Sequence, residues 1–502
     1  MIRRAAAIAA ARAAAALSRR LRFGGGTALP GLVAQRIHPD IVRELAAGLG
    51  AGSVLVTGTN GKTTTARLLR NILQEAGLKP VANRAGSNMM RGIAAALAAG
   101  ARWDGRFRSP QERIGVFEVD EATLPHAAAV RPRAVLFTNL FRDQLDRYGE
   151  VETVAAVWRA AAREFPPDVT LVLNADDPAV AALGDVAGGP VVFFGLADRA
   201  AAGQTLDHAA DARWCSGCGA ELAYAAVFYG HLGHWACPQC GRSRPQVQVA
   251  GTDLEVGGQA PPITSGGQAP PITSGGQAPP STSGGQALSL TGRGEGGPAG
   301  LRLAITTPAG GLTVRLPLTG LYNAYNAVAA AAAATALGIG PPAIERGLGR
   351  FTAAFGRQER LVVSGREVQM FLAKNPAGLN QVLRTITANG LQKDIALFLN
   401  DNIADGRDVS WIWDVDFELL SGHTRSLTVS GSRAWDMALR LKYAGLGSPG
   451  DVEPDAALAL RRALQRTPEG ATLYVIPTYT AMLAVRNLLG RWAGRGAFWE
   501  RD

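Results

Sequence analysis

Two groups of residues in this chain have types and spacings that can do chemistry: four cysteines, and a lysine set in a short run of glycine and threonine. Cys215 and Cys218 form one CxxC pair, Cys237 and Cys240 a second, and 18 residues separate the pairs. A tight turn holds both sulfurs of a CxxC pair on one side of a metal, so two pairs supply the four thiolates of a tetrahedral Zn²⁺ site. Four protein ligands leave no open position, and the expected zinc is therefore structural. Two disulfides are the competing arrangement, which a reducing cytosol disfavours. His231 and His234 lie between the pairs and are read as packing residues, because four sulfurs already complete the site.

The lysine belongs to "VLVTGTNGKTTTARLL", Val54 to Leu69. The common phosphate loop reads GxxxxGK[ST], and its first glycine would fall at Val56. Gly58-Thr59-Asn60-Gly61-Lys62-Thr63 is a shorter version, still set after a strand-like run and at the start of a helix-like one. Backbone N–H groups and the helix dipole bind phosphate oxygens there. Lys62 is expected on the β and γ phosphates of ATP, and Thr63 or Thr64 on Mg²⁺. "FEVDEA", Phe117 to Ala122, ends a second apolar run with three carboxylates, of which Glu118 is the expected magnesium contact. A solvated acidic turn is the bland alternative. Lys374 and Asn375 follow a third such run, "VQMFLA", and face two readings: a contact to an activated carboxyl group, or an exposed turn before Pro376.

The elements that position these residues alternate. "SVLVTG", "IGVFEVDE", "RAVLFTNL" and "VTLVLNADD" are short apolar runs ending in polar residues, and "TTTARLLRNILQEAG" has helical periodicity. That pattern predicts a mostly parallel sheet with crossover helices, whose ligands lie at the carboxyl ends of the strands. "LRLAITTPAGGLTVRLPLTG" predicts a hairpin and "NAYNAVAAAAAATALGI" a helix; "DIALFLND", "SLTVSG" and "TLYVIPTYTA" supply strands of a second α/β unit. The predicted organisation is an N-terminal helical segment over 1–45, an ATP-binding central domain over 46–355, and a smaller α/β domain over 356–502. The central domain carries a zinc-ribbon insertion at 213–242 and a disordered loop at 256–298, the latter from the repeats "GGQAPPITS" and "GGQAPPSTS".

Composition excludes some classes. The 502 residues carry a formal net charge of +10, but only five of the 51 basic residues are lysines and the arginines are scattered. "AELAYAAVFYGHLGHWA" between the cysteine pairs has no basic residue, so no nucleic-acid partner is expected. No apolar run reaches the roughly 20 residues that span a bilayer. A cytoplasmic protein is the reading, with the basic N-terminal segment either packed on the body or resting on the inner face of the cell membrane.

The ordered motifs "GTNGKTTT", "EVDE", "TNLFRDQLDRYGE", "NADDP", "GLYNAYNAVAAAAA" and "GRQER" resemble those of the Mur ligases and the related folylpolyglutamate synthases, from about residue 50 to the C-terminus. The resemblance implies adenine contacts from Asn323 and Asn326, a γ-phosphate contact from Arg357, and ATP-driven activation of a carboxylate as an acyl phosphate that a nitrogen nucleophile attacks. Two features depart from the amino-acid-adding members. Asp143-Gln144-Leu145-Asp146 stands where they commonly have DHxD, and residues 151–170 contain no lysine to carry the modification that helps hold a second metal.

With its ribbon, and with "GGGTALPG", "AKNPAGLNQ" and "LNDNIADGRDVSWIWDVDFE", the chain resembles one branch of that family. Its members amidate the α-carboxylate of D-glutamate in the stem peptide of lipid II, using ammonia from a GatD-like glutaminase in a heterodimer. The cysteine count agrees: glutamine hydrolysis needs a nucleophilic thiol, all four are committed to metal, and the thiol must come from another chain. The resemblance further implies an aspartate that completes the partner's Cys/His pair, for which Asp408 and Asp414 rank ahead of Asp405. Trp411 and Trp413, at alternate positions, suggest one strand face or an interface, with plain core packing the equal alternative. The competing functions are an amino-acid-adding or folylpolyglutamate-type ligase that needs no partner, and a non-catalytic ATP-binding scaffold.

Overall fold

β1 (Ser53–Thr57) reads SVLVT and is buried along its whole length. Parallel strands flank it on both sides, β3 (Arg113–Glu118) and β4 (Pro132–Phe137), and helices cover both faces, which is why the run is apolar rather than alternating. Val54 and Val56 point into one core, with the helices Lys62–Glu75, Leu321–Ala336 and Pro341–Gly349. Leu55 points into the other, with Met90–Gly100, Val151–Glu164 and the N-terminal helices. A period of two thus sends one strand into two cores.

The computed structural model describes residues 2–20, 28–83, 87–143, 151–203, 206–207, 210–256, 300–351, 357–446 and 451–493. Within them, a nine-stranded sheet also includes β2 (Lys79–Ala82), β5 (Thr170–Asn174), β6 (Val191–Leu196), β9 (Val249–Val256), β10 (Leu301–Thr307) and β11 (Gly310–Leu316). Its order is β11-β10-β9-β6-β5-β4-β1-β3-β2. The strands from β9 to β2 run parallel, and the predicted hairpin β10–β11 adds an antiparallel edge. Because β2 and β3 lie on one side of β1 and β4 on the other, the order reverses at β1, where ligands bind in such sheets. β7 (Ala223–Tyr229) and β8 (Leu232–Ala236) form a separate antiparallel pair between β6 and β9.

A second, six-stranded sheet is built from β12 (Arg357–Val363), β13 (Arg366–Phe371), β14 (Lys393–Phe398), β15 (Thr424–Ser430), β16 (Asp451–Val452) and β17 (Thr472–Pro477), in the order β12-β13-β17-β14-β15-β16. It is parallel except for β12–β13 and has an apolar core on each face.

The N-terminal helix Ile2–Arg20 lies on the body through buried Ala7, Ile8 and Ala11. Arg4 Nη2 and Arg12 Nε donate to the carbonyls of Asp104 (2.8 Å) and Ala98 (3.3 Å). No helix among the described residues is long and apolar enough to cross a membrane. The repeat loop at 256–298 and the residues Gln144 to Asp146 lie outside the described residues, except for Val256 at the end of β9.

Candidate active site and metal centre

The loop Gly58–Gly61 leaves the carboxyl end of β1 and enters the helix at Lys62. Gly58 (φ +131°) and Gly61 (φ +88°) have backbone angles that L side chains rarely adopt. A Cβ on Gly58 would collide with Thr138 Oγ1 and one on Gly61 with Asn326 Oδ1, so neighbouring elements press on the loop from two sides. The end of β4 fixes its shape. Asn60 N–H donates to Asn139 Oδ1 (2.8 Å), and the Asn60 carbonyl accepts from Thr138 Oγ1 (2.9 Å) and Asn139 Nδ2 (3.1 Å). Thr59 Oγ1 bonds both the N–H and the carbonyl of Phe141, each at 3.0 Å.

Lys62 is buried and donates to Glu121 Oε1 at 2.8 Å and to the carbonyls of Gly58 and Thr59. Burial opposes its charge, but the nearby carboxylates of Glu121, Asp120 and Asp143 outweigh that and raise its pKa. Burial pushes Glu121 up to about 7 against the pull of Lys62. Thr63 Oγ1 donates to Glu118 Oε2 at 2.8 Å, which brings a hydroxyl and a carboxylate together beside the loop. Oxygen donors of this kind suit Mg²⁺, and the ammonium with the helix N-terminus suits phosphate, so the residues present fit a magnesium nucleotide. Thr64 is buried one residue further along.

Asn323 and Asn326 sit buried at the start of the helix Leu321–Ala336, and both amides make internal bonds. Asn326 Oδ1 accepts from Thr65 Oγ1 (3.2 Å), Asn326 Nδ2 donates to Asn323 Oδ1 (3.1 Å), and Asn323 Nδ2 donates to the Thr319 carbonyl (2.7 Å). They join two helices at the loop. Arg357 begins β12, and its side chain lies outside the described residues.

The second sheet's unit meets this loop. Asn375, buried rather than exposed, caps the helix Pro376–Thr387 by accepting from Gly378 N–H (2.8 Å) and donates Nδ2–H to Asn60 Oδ1 (3.0 Å). Lys374 pairs with Asp143.

The three candidate aspartates differ in their freedom. Asp405 is buried and accepts from Thr480 N–H (2.7 Å) and Thr480 Oγ1, which holds the start of the helix Tyr479–Trp492. Asp414 accepts from Arg142 Nη1 at 3.1 Å. Asp408 is exposed and accepts from the Ser410 N–H (2.8 Å), which lowers its pKa. Trp411 and Trp413 do not lie on a strand: Ser410–Asp414 is a 3₁₀ turn. An aspartate that accepts its N-terminal N–H favours such a turn over an extended run.

The four sulfurs converge within 4.8 Å of one another, Cys215 Sγ 3.6 Å from Cys240 Sγ and Cys218 Sγ 3.4 Å from Cys237 Sγ. The Gly217 N–H donates to Cys215 Sγ (3.4 Å) and the Cys240 N–H to Cys237 Sγ (3.5 Å). The latter bond draws the Cys237 thiol down to about 6. This donor set fits Zn²⁺. His231 is fully buried against Phe141 and 3.3 Å from Asp177, and His234 Nε2 bonds the Leu196 carbonyl at 2.8 Å; both pack the ribbon onto the sheet.

Sequence reasoning picked out Glu118 but passed over Glu121 as the partner of Lys62, and over Thr138, Asn139 and Asp143 as supports. Thr138 and Asn139 directly follow β4 and carry the signal of a polar strand end, whereas Glu121 and Asp143 lie three and six residues beyond β3 and β4.

A nine-stranded sheet with a nucleotide-type loop at its reversal point, followed by a smaller α/β unit, is the architecture of the Mur ligases. A pseudomurein peptide ligase type C from Methanothermus fervidus shares it, with a TM-score of 0.60 at 23% identity over 88% of this chain and 78% of that one. The Mur ligase middle domain model matches residues 56–215 and the MurT ligase C-terminal model residues 372–482. Lipid II isoglutaminyl synthase (glutamine-hydrolyzing) subunit MurT of Staphylococcus aureus (strain COL) is 32% identical over 470 residues, 93% of each chain. The Streptococcus pneumoniae (strain ATCC BAA-255 / R6) subunit of the same name is 31% identical over 471 residues, again 93% of each. The chain belongs to this MurT family of Mur-type ligases.

Proposed function

We propose that the chain is the ligase subunit of a lipid II isoglutaminyl synthase, which amidates the α-carboxylate of D-glutamate in the lipid II stem peptide with ammonia from a GatD-like glutaminase. One observation carries the division of labour: all four cysteines converge on a single metal site. None is left to attack glutamine, so the nucleophilic thiol belongs to a partner.

In this reading the loop Gly58–Gly61 and Lys62 hold the ATP phosphates, and Thr63 with Glu118 holds Mg²⁺, which neutralises phosphate charge. The substrate carboxylate oxygen attacks the γ-phosphorus and ADP leaves. Ammonia then attacks the carbonyl carbon of the acyl phosphate, phosphate leaves with the C–O electron pair, and the nitrogen loses a proton. The pairing of Lys374 with Asp143 beside the loop supports a contact from this lysine to the acyl phosphate. Asp408, exposed and with its carboxylate kept ionised, supports the role of orienting the partner's histidine. The surface near it supports a protein contact: Trp413 packs edge-on against Tyr443 at 5.5 Å, and Trp435, Leu439 and Tyr443 are exposed along one helix face. Exposed aromatics of this kind are enriched at interfaces.

The test is the mass change of lipid II with ATP and Mg²⁺, with the chain alone or with a glutaminase, and with ammonium or glutamine as donor. Ammonium is expected to support amidation by the isolated chain, and glutamine only with the partner. Amidation from glutamine by this chain alone would overturn the proposal.

A further inference from the structure

We propose that Arg142 is a positioning residue that ties the nucleotide loop to the turn beside Asp408, so that glutamine hydrolysis on the partner answers to the state of the ligase site. The proposal rests on the function proposed above.

Three consecutive residues beyond β4 reach three parts of the molecule. Phe141 is clasped by Thr59 of the nucleotide loop, through its N–H and its carbonyl. Arg142 follows. Its backbone N–H and its Nε–H donate to Asp211, at 2.9 and 2.7 Å, and its Nη1–H donates to Asp414 at 3.1 Å. Asp143 pairs with Lys374. Asp414 closes the same 3₁₀ turn whose first residue, Ser410, donates its N–H to Asp408.

That turn is anchored, because Ile412 at its centre is fully buried and Val415 N–H returns to the Ile412 carbonyl at 3.3 Å. A shift of Thr59 therefore reaches the turn through one residue of backbone and one guanidinium. The two ends of that guanidinium are unequal. The Asp211 side chain is 5% exposed and accepts the Arg142 backbone N–H as well as Nε–H, whereas the Asp414 side chain is 40% exposed and accepts Nη1–H from the same arginine. The Asp414 contact is the one that can break and re-form. Its surroundings suit such a motion, since the seam here is made by further polar pairs, Asp143 with Lys374, Asp207 with Arg384 and Asn60 with Asn375. Arginine suits this role, because its planar fork presents Nε–H to one carboxylate and Nη1–H to another, while a lysine concentrates its donors on a single nitrogen. The chemical reason for the link is plain. Ammonia released before an acyl phosphate has formed is lost to solvent, and glutamine is consumed without product.

The experiment uses the full chain in complex with its glutaminase, with Arg142→Ala, Arg142→Lys and Asp211→Asn compared with the parent. For Arg142→Ala, ammonium-supported amidation of lipid II is expected to be unchanged. Glutamine-supported amidation should fall by about tenfold in kcat, an ordinary size for coupling between sites. The parent complex is expected to hydrolyse glutamine faster with ATP and lipid II present than without them and the variant at the same rate in both, a readout that a merely structural loss would not single out. Arg142→Lys should fall between parent and alanine. Asp211→Asn, which loosens the anchor but keeps the arginine, carries the same test should the alanine variant not fold. Equal losses with both donors, or none with glutamine, overturn the proposal. A parent complex that amidates lipid II from neither donor would overturn the functional reading with it.

Discussion

Replacing Gly61 with alanine, with Gly77→Ala as its partner experiment, tests whether the nucleotide loop is locked by the neighbours that press on it. Both glycines are left-handed, at φ +88° and +82°, so both variants carry similar backbone strain, about 1–2 kcal/mol. They differ in what a methyl group meets. At Gly77 nothing lies within 4 Å, whereas at Gly61 the Cβ collides with Asn326 Oδ1. Displacing that amide gives up its bonds with Thr65 (3.2 Å) and Asn323 (3.1 Å). At about 1 kcal/mol for each buried bond, Gly61→Ala should lose about 2 kcal/mol more than Gly77→Ala. For a folding unit of about 150–250 residues that difference is roughly 4–8 °C in melting temperature. Thermal melts of the two variants read it directly. The KM for ATP should rise for Gly61→Ala and stay unchanged for Gly77→Ala, because the loop leads straight into the helix N-terminus at Lys62. Equal melting temperatures for the two variants would refute the lock.

Other outcomes follow from the same geometry. Metal chelation should lower the melting temperature without leaving a folded, inactive form, as circular dichroism alongside ATP hydrolysis can check. Asp408→Asn should abolish glutamine-supported turnover with no change in melting. Asp405→Asn should instead destabilise by about 1–3 kcal/mol, because the amide cannot accept from both Thr480 groups as the carboxylate does. Glu118→Gln should raise the Mg²⁺ concentration that half-saturates ATP hydrolysis, measured by titration, since Thr63 and Glu118 meet beside the loop.

What the sequence made legible was set by short-range rules. The CxxC spacing compels two sulfurs onto one side of a metal, so the convergence of the four cysteines could be read before any fold was known. The glycines around Lys62 report a loop, and apolar runs ending in polar residues report parallel strands. Long-range pairings left no such mark. Glu121, three residues from Glu118, meets Lys62 because the end of β3 turns back over the loop, and no spacing rule encodes that. Asp211 and Arg142 lie 69 residues apart in sequence and meet through the sheet. Trp411 and Trp413 show the limit of alternation, which fits a strand face, an interface or core packing alike: the segment forms a 3₁₀ turn whose first N–H bonds to Asp408.

The ribbon's position in the chain has a consequence for biogenesis. β6 and β9 are parallel neighbours, and parallel neighbours need a crossover, which is usually a helix. Here the cysteine-bearing excursion provides it. The four sulfurs precede β9 in the chain, so a metal ion held by them would shorten this connection before that strand is made. With an ion bound, the link between these two neighbouring strands would be fixed by sulfur coordination rather than by the hydrogen bonds of a helix.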